Sequence, residues 1–66
     1  MESDRTGLLI IRAWIEAESS EPLRAQIRLS TDVSAGFQRT LTFSRAEDVS
    51  AAVREWLAEV LSQAER

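Results

Sequence analysis

Three glutamates around the first turn, Glu16, Glu18 and Glu21, and three arginines on strand-like segments, Arg12, Arg24 and Arg28, are the groups whose type and spacing can do chemistry here. Grouped carboxylates suit a divalent ion held by oxygen ligands alone. Their spacing does not follow the calcium-loop pattern, and a solvated acidic turn is the plainer reading. The arginines, with Trp14 beside them, suit phosphate and a stacked base. Against this, the formal net charge is −3, which weakens the electrostatic attraction that dominates nucleic-acid binding. Cys, His, Lys and Tyr are all absent. Thiolate or imidazole metal sites and disulfides are therefore excluded. The serines have no His or Lys to serve as a base. Gly7 and Gly36 stand far apart, so no glycine-rich phosphate loop exists. No enzyme activity, cofactor, metal or small-molecule ligand is implied.

The elements that must carry these groups can be read from periodicity. Residues 1–6 are expected to form a flexible polar tail, and 7–66 a single domain. Gly7 to Ala17 reads as a strand with Leu9, Ile11, Ala13, Ile15 and Ala17 on one face and Leu8, Ile10, Arg12, Trp14 and Glu16 on the other. Residues 18–22 are a turn ending in Pro22. Leu23 to Thr31 alternates Leu23, Ala25, Ile27 and Leu29 with Arg24, Gln26, Arg28 and Ser30, the pattern of a half-buried strand. After a loop around Asp32 and Gly36, a third strand is expected over Phe37 to Phe43. Phe37, Leu41 and Phe43 share its core face with Arg39, and an arginine there marks an edge strand from which the side chain can reach water.

A helix follows from about Arg45 to Gln63. Ser44 with Glu47 three residues on predicts a capping box, and Glu47 and Asp48 put negative charge at the positive end of the helix dipole. Val49, Val53, Trp56, Leu57, Val60 and Leu61 recur at helical spacing. The helix, about 28 Å long, matches strands of about 30 Å. The expected fold is α+β: a three-stranded antiparallel meander, β-β-β-α, with the helix on one face.

One helix leaves the other sheet face open. There Leu8, Ile10 and Trp14 make an apolar stripe with Arg12 among them, on a strand that a meander leaves at the edge. Scattered exposed apolar residues are ordinary, whereas a continuous stripe on an edge strand is a surface for another chain. Short chains bury little, and association is one remedy. The expected function is a non-enzymatic protein–protein interaction module, self-associating as a homodimer or binding a protein partner through Leu8, Ile10, Arg12 and Trp14. The alternative is weak nucleic-acid binding by Arg12, Arg24, Arg28 and Trp14.

The run Leu9-Ile10-Ile11-Arg12-Ala13-Trp14-Ile15-Glu16, with Leu23-Arg24-Ala25-Gln26-Ile27 and Val53-Arg54-Glu55-Trp56-Leu57, resembles short uncharacterised proteins of high-GC actinobacteria; the resemblance implies no activity. The order β-β-β-α also resembles the body of a double-stranded RNA-binding domain lacking its first helix. That family meets phosphate with basic residues at the start of the last helix, where this chain has Glu47 and Asp48. All eight basic residues are Arg, which fits either GC-rich coding or selection for bidentate recognition. The acidic start, the lack of Cys and the absence of a long apolar run predict a soluble, cytoplasmic protein with no membrane contact.

Overall fold

The computed structural model describes residues 5–64. Strands β1 (Leu8–Ile15), β2 (Leu23–Ser30) and β3 (Arg39–Phe43) form one antiparallel sheet in the order β1-β2-β3, followed by helix α1 (Ala46–Ala64). The architecture is the α+β meander expected from the alternation. Leu8 pairs with Ser30 and Ile15 with Leu23; Ala25 pairs with Phe43 and Leu29 with Arg39. Cross-strand partners share a face in an antiparallel pair. One face therefore carries Leu9, Ile11, Ala13 and Ile15 beside Leu23, Ala25, Ile27 and Leu29. The other carries Leu8, Ile10, Arg12 and Trp14 beside Arg24, Gln26 and Arg28.

Only Ser44 and Arg45 separate β3 from α1, so the helix folds straight back over the strand it leaves. A helix about 10 Å across spans roughly two strands set about 4.8 Å apart. It covers β2 and β3 and leaves much of β1 bare. Ala25, Ile27, Leu29 and Ala52 are buried, with Leu9, Leu41, Phe43, Val49 and Trp56 half-buried against the Ile27–Leu29–Ala52 cluster. Burying a side chain such as Ile27 or Leu29 contributes about 1.5–3 kcal/mol. Ile11, Ala13 and Ile15, expected in this core, are exposed. So are Leu57 and Leu61 of the expected helical stripe.

Two further expectations are corrected. Phe37 does not begin β3. The chain instead makes a 3-10 turn over Val33–Ala35, and Gly36 then swings out at φ 81°. This leaves Phe37 on the surface, with the Arg28 guanidinium 4.6 Å above its ring. The capping box also fails to form among the described residues. Ser44 Oγ donates to Glu21 Oε1 at 2.8 Å, and Glu47 pairs with Arg45 at 3.8 Å. A cap would need the Ser44 oxygen as an acceptor; the helix instead opens at Ala46, and the Asp48 and Val49 N–H groups donate to Arg45 O at 3.1 and 3.3 Å.

A polar knot fastens the far end of α1. Trp56 Nε1 donates to Ser30 O at 3.0 Å, and Gln63 Nε2 donates to Thr31 Oγ1 at 3.0 Å. The Thr31 amide and hydroxyl both donate to Gln38 Oε1 at 3.1 Å. Of the expected polar tail, residues 1–4 lie outside the described residues. Thr6 O accepts from Val33 N–H at 2.9 Å, and Arg5 Nη1 donates to Gln63 Oε1 at 3.4 Å.

Candidate interaction surface

The first turn settles what its acids touch. Glu16 accepts from Trp14 Nε1 at 3.2 Å and pairs with Arg24 Nε at 3.4 Å. Arg24 also donates to the Glu21 carbonyl, to Leu23 O at 2.9 Å and to Ser19 Oγ at 3.2 Å. Glu21, as noted, holds Ser44. Arg24 thus braces the turn from inside and is not offered to a ligand. Among the described residues no three Asp or Glu side chains gather as metal ligands.

Arg12 and Arg28 behave differently. Both lie on the open face, and neither forms a salt bridge among the described residues. The Arg12 guanidinium sits 4.8 Å above the Trp14 ring, a cation–π stack worth about 0.5–1 kcal/mol when exposed. Trp14 is half-buried beneath it. Leu8 and Ile10 are 42% and 44% exposed. Leu8 also lines a shallow apolar depression of about 220 Å³ with Ser30, Val33, Gly36 and Phe37. The four residues singled out in sequence, Leu8, Ile10, Arg12 and Trp14, therefore share one face of one strand. Trp14 is the least available of them, held by Arg12 above and Glu16 at its edge. Leu8 gains Val33 and Phe37 as neighbours that alternation alone did not bring in.

Comparison with known protein families, with curated proteins and with solved structures found no match to this chain.

A second apolar area adjoins the first across the edge of β1. On the helix side Ile11, Ile15, Leu57 and Leu61 are 46–67% exposed. Glu59 reaches Arg39 on β3 at 3.2 Å, which marks the flank of α1 turned toward β3. Leu57 and Leu61 are two residues either side of Glu59, about 200° round the helix, and so lie on the flank away from β3. Trp56 and Val60 press onto Gly7, just before β1. A Cβ there would lie 3.1 Å from Trp56 Cζ2, Val60 Cγ2 and Ser30 O. The flank bearing Leu57 and Leu61 thus looks out past the edge of β1.

The backbone of that edge is open as well. Glu16 N–H donates to Pro22 O at 2.7 Å, which extends the β1–β2 register by one pair. Hydrogen-bonded and non-bonded pairs alternate in an antiparallel ladder, so the even-numbered residues of β1 bond to β2. Leu9, Ile11, Ala13 and Ile15 turn their N–H and C=O groups outward, where no strand of the described residues meets them. No helix among the described residues is long and apolar enough to cross a membrane.

Proposed function

We propose that this protein is a non-enzymatic protein–protein interaction module that takes another chain, a second copy or a protein partner, along the free edge of β1. One observation carries this reading: β1 is an edge strand with outward backbone groups and exposed apolar side chains on both of its faces. Such an edge is a template for strand addition, with main-chain hydrogen bonds supplying affinity and alternate side chains supplying selectivity. Leu8, Ile10, Arg12 and Trp14 form the contact on the open face. In this reading the module is a cytoplasmic protein of a high-GC bacterium, which the use of Arg as the sole base and the lack of cysteine support.

The test is a photo-cross-linking residue at Ile11, with one at Ala51 on the solvent face of α1 as control. The expected outcome is a discrete adduct from position 11 alone, its mass giving the occupant. Equal, diffuse labelling from both positions refutes the reading.

A second reading draws on the two arginines stacked on aromatic rings over the open face, Arg12 on Trp14 and Arg28 on Phe37. In it the module binds nucleic acid weakly through Arg12, Arg28 and Trp14; Arg24 is occupied in the turn. The net charge of −3 opposes it. Gel shifts at low and moderate salt decide, since phosphate contacts give steep salt dependence; no salt-sensitive shift removes it.

A further inference from the structure

We infer that the occupant of the β1 edge is a second copy of this chain, paired antiparallel about a two-fold axis through Ile11. This rests on the reading of β1 as the interaction edge and adds the partner and the register.

The argument starts from faces. A two-fold axis normal to the sheet keeps both helices on the same side. Facing residues must then share a face, and the registers that pair nearly all of β1 with itself are two. One centres on Ile11, the other on Arg12. Centring on Arg12 sets two arginines directly opposite one another, and like charges in that position destabilise a strand pair. Centring on Ile11 sets Arg12 against Ile10 of the second copy and Leu8 against Trp14 of the second copy. On the helix side Ile11 meets its own equivalent and Leu9 meets Ala13. Leu9, Ile11 and Ala13 are also the residues whose N–H and C=O groups point outward, so the ladder closes with backbone partners on both strands.

The ends of the strand fit the same register. Ile15 of the second copy falls opposite Gly7, where Trp56 and Val60 press onto the backbone. Leu57 and Leu61, on the outer flank of α1, then lie over that Ile15. The helix runs about 12 Å past Trp56, and β1 runs two residues past Ala13, the residue level with the last rung of β3. The two-fold sets each overhang against the other. Exposed side chains that have no cover within one chain thereby cover each other between two. Charge agrees: Arg5 falls beside the turn of the second copy that carries Glu16 and Glu18, and these opposite charges meet twice per pair. A different protein would have to supply this pattern, whereas a second copy carries it.

The chain has no cysteine, so single introduced cysteines report the register. Ile11→Cys keeps Arg12 and places two Cα atoms about 5.5 Å apart across the axis, inside the range a disulfide spans. Ala13→Cys staggers its two copies by four residues, about 13 Å along the strand, beyond reach. Under mild oxidation Ile11→Cys is expected to give a covalent dimer and Ala13→Cys none. Cross-linking by Ala13→Cys in preference, or by neither, overturns the register. The unaltered protein supplies a test that needs no variant. Light scattering behind size exclusion should give twice the chain mass, falling on dilution, and Leu61→Lys should raise the dissociation constant about tenfold or more with the circular dichroism unchanged. A monomer throughout overturns the second copy. If the photo-adduct at Ile11 then carries another protein's mass, the edge reading stands without it; if there is no adduct, both fall together.

Discussion

Truncating Trp56 should cost this domain most of its stability, and truncating Trp14 should not. Trp56 is half-buried against the Ile27–Leu29–Ala52 cluster, presses on Gly7 and donates to the carbonyl of Ser30, a residue 1% exposed. Trp56→Ala removes the ring packing, worth about 3–5 kcal/mol for a core aromatic. It also removes a second donor from the Ser30 carbonyl, which the β1–β2 ladder still serves through Leu8, at a net cost of about 0.5–1.5 kcal/mol. A domain of this size has in all about 3–10 kcal/mol, at 0.05–0.15 per residue. Trp14→Ala loses a cation–π stack of about 0.5–1 kcal/mol and a hydrogen bond to the exposed Glu16 carboxylate. The expected result is a folded Trp14→Ala protein and a Trp56→Ala protein largely unfolded at 25 °C. Urea denaturation followed by circular dichroism, at one fixed protein concentration, measures both. Trp56→Phe supplies the intermediate case: it keeps an aromatic ring but loses the donor to Ser30. Losses within about 0.5 kcal/mol of each other for the two alanine variants would refute the assignment of the two sheet faces.

Three more outcomes follow from single residues. Gly7→Ala should destabilise by about 1–3 kcal/mol, because its new methyl meets a backbone oxygen and two side chains at 3.1 Å; thermal melting reads the loss. Gly36→Ala should cost a similar amount for a different reason. Its Cβ would meet nothing, but a φ of 81° with ψ near 180° is almost confined to glycine, so Gly36→Asn should be no milder than Ala. Asp32 accepts from the Ser34 hydroxyl at 2.7 Å and amide at 3.1 Å, hydrogen bonds that hold its carboxyl below the ordinary value of 3.8. A depressed carboxylate adds stability that is fully present above the unfolded value and is lost as pH falls through the folded one. Carboxyl NMR titration should therefore place the Asp32 midpoint below 3.8, and Ser34→Ala should raise it.

The meander and its faces were legible because β2 alternates cleanly and β1 and β3 share its period. The helix was legible from its apolar spacing. What alternation does not carry is lateral offset. Leu9, Ile11, Ala13 and Ile15 form one apolar row, but whether that row is covered depends on where α1 lies across the sheet. The two-residue link from β3 decides that, by holding the helix near its own strand. The width of the helical stripe held a usable sign: Leu57 and Leu61 stand about 100° from Trp56 and Val60, wider than one line of sheet contact needs. Phe37 went astray because strand period continued through it, while Gly36 two-sidedly permits the turn that removes it from the strand. The Ser44 cap was not realised because the helix opens one residue later, with Arg45 O taking the Asp48 and Val49 N–H groups. Of the surface, Leu8, Ile10, Arg12 and Trp14 are legible as one row; alternation and helical spacing put the neighbouring Ile11, Ile15, Leu57 and Leu61 in the core, whereas they are exposed.

The two borders of the sheet are unlike, and this limits how far the sheet can grow. β3 is five residues long, with Thr40 and Thr42 on one face and Arg39 clamped to Glu59 on the other. Short, polar, charged borders resist further strand addition. The β1 border has none of these features, and a sheet made by the proposed pairing of two copies would end in β3 on both sides. A chain with two receptive borders would string into filaments; the pairing proposed above, which uses one border of each copy, would stop at a closed pair.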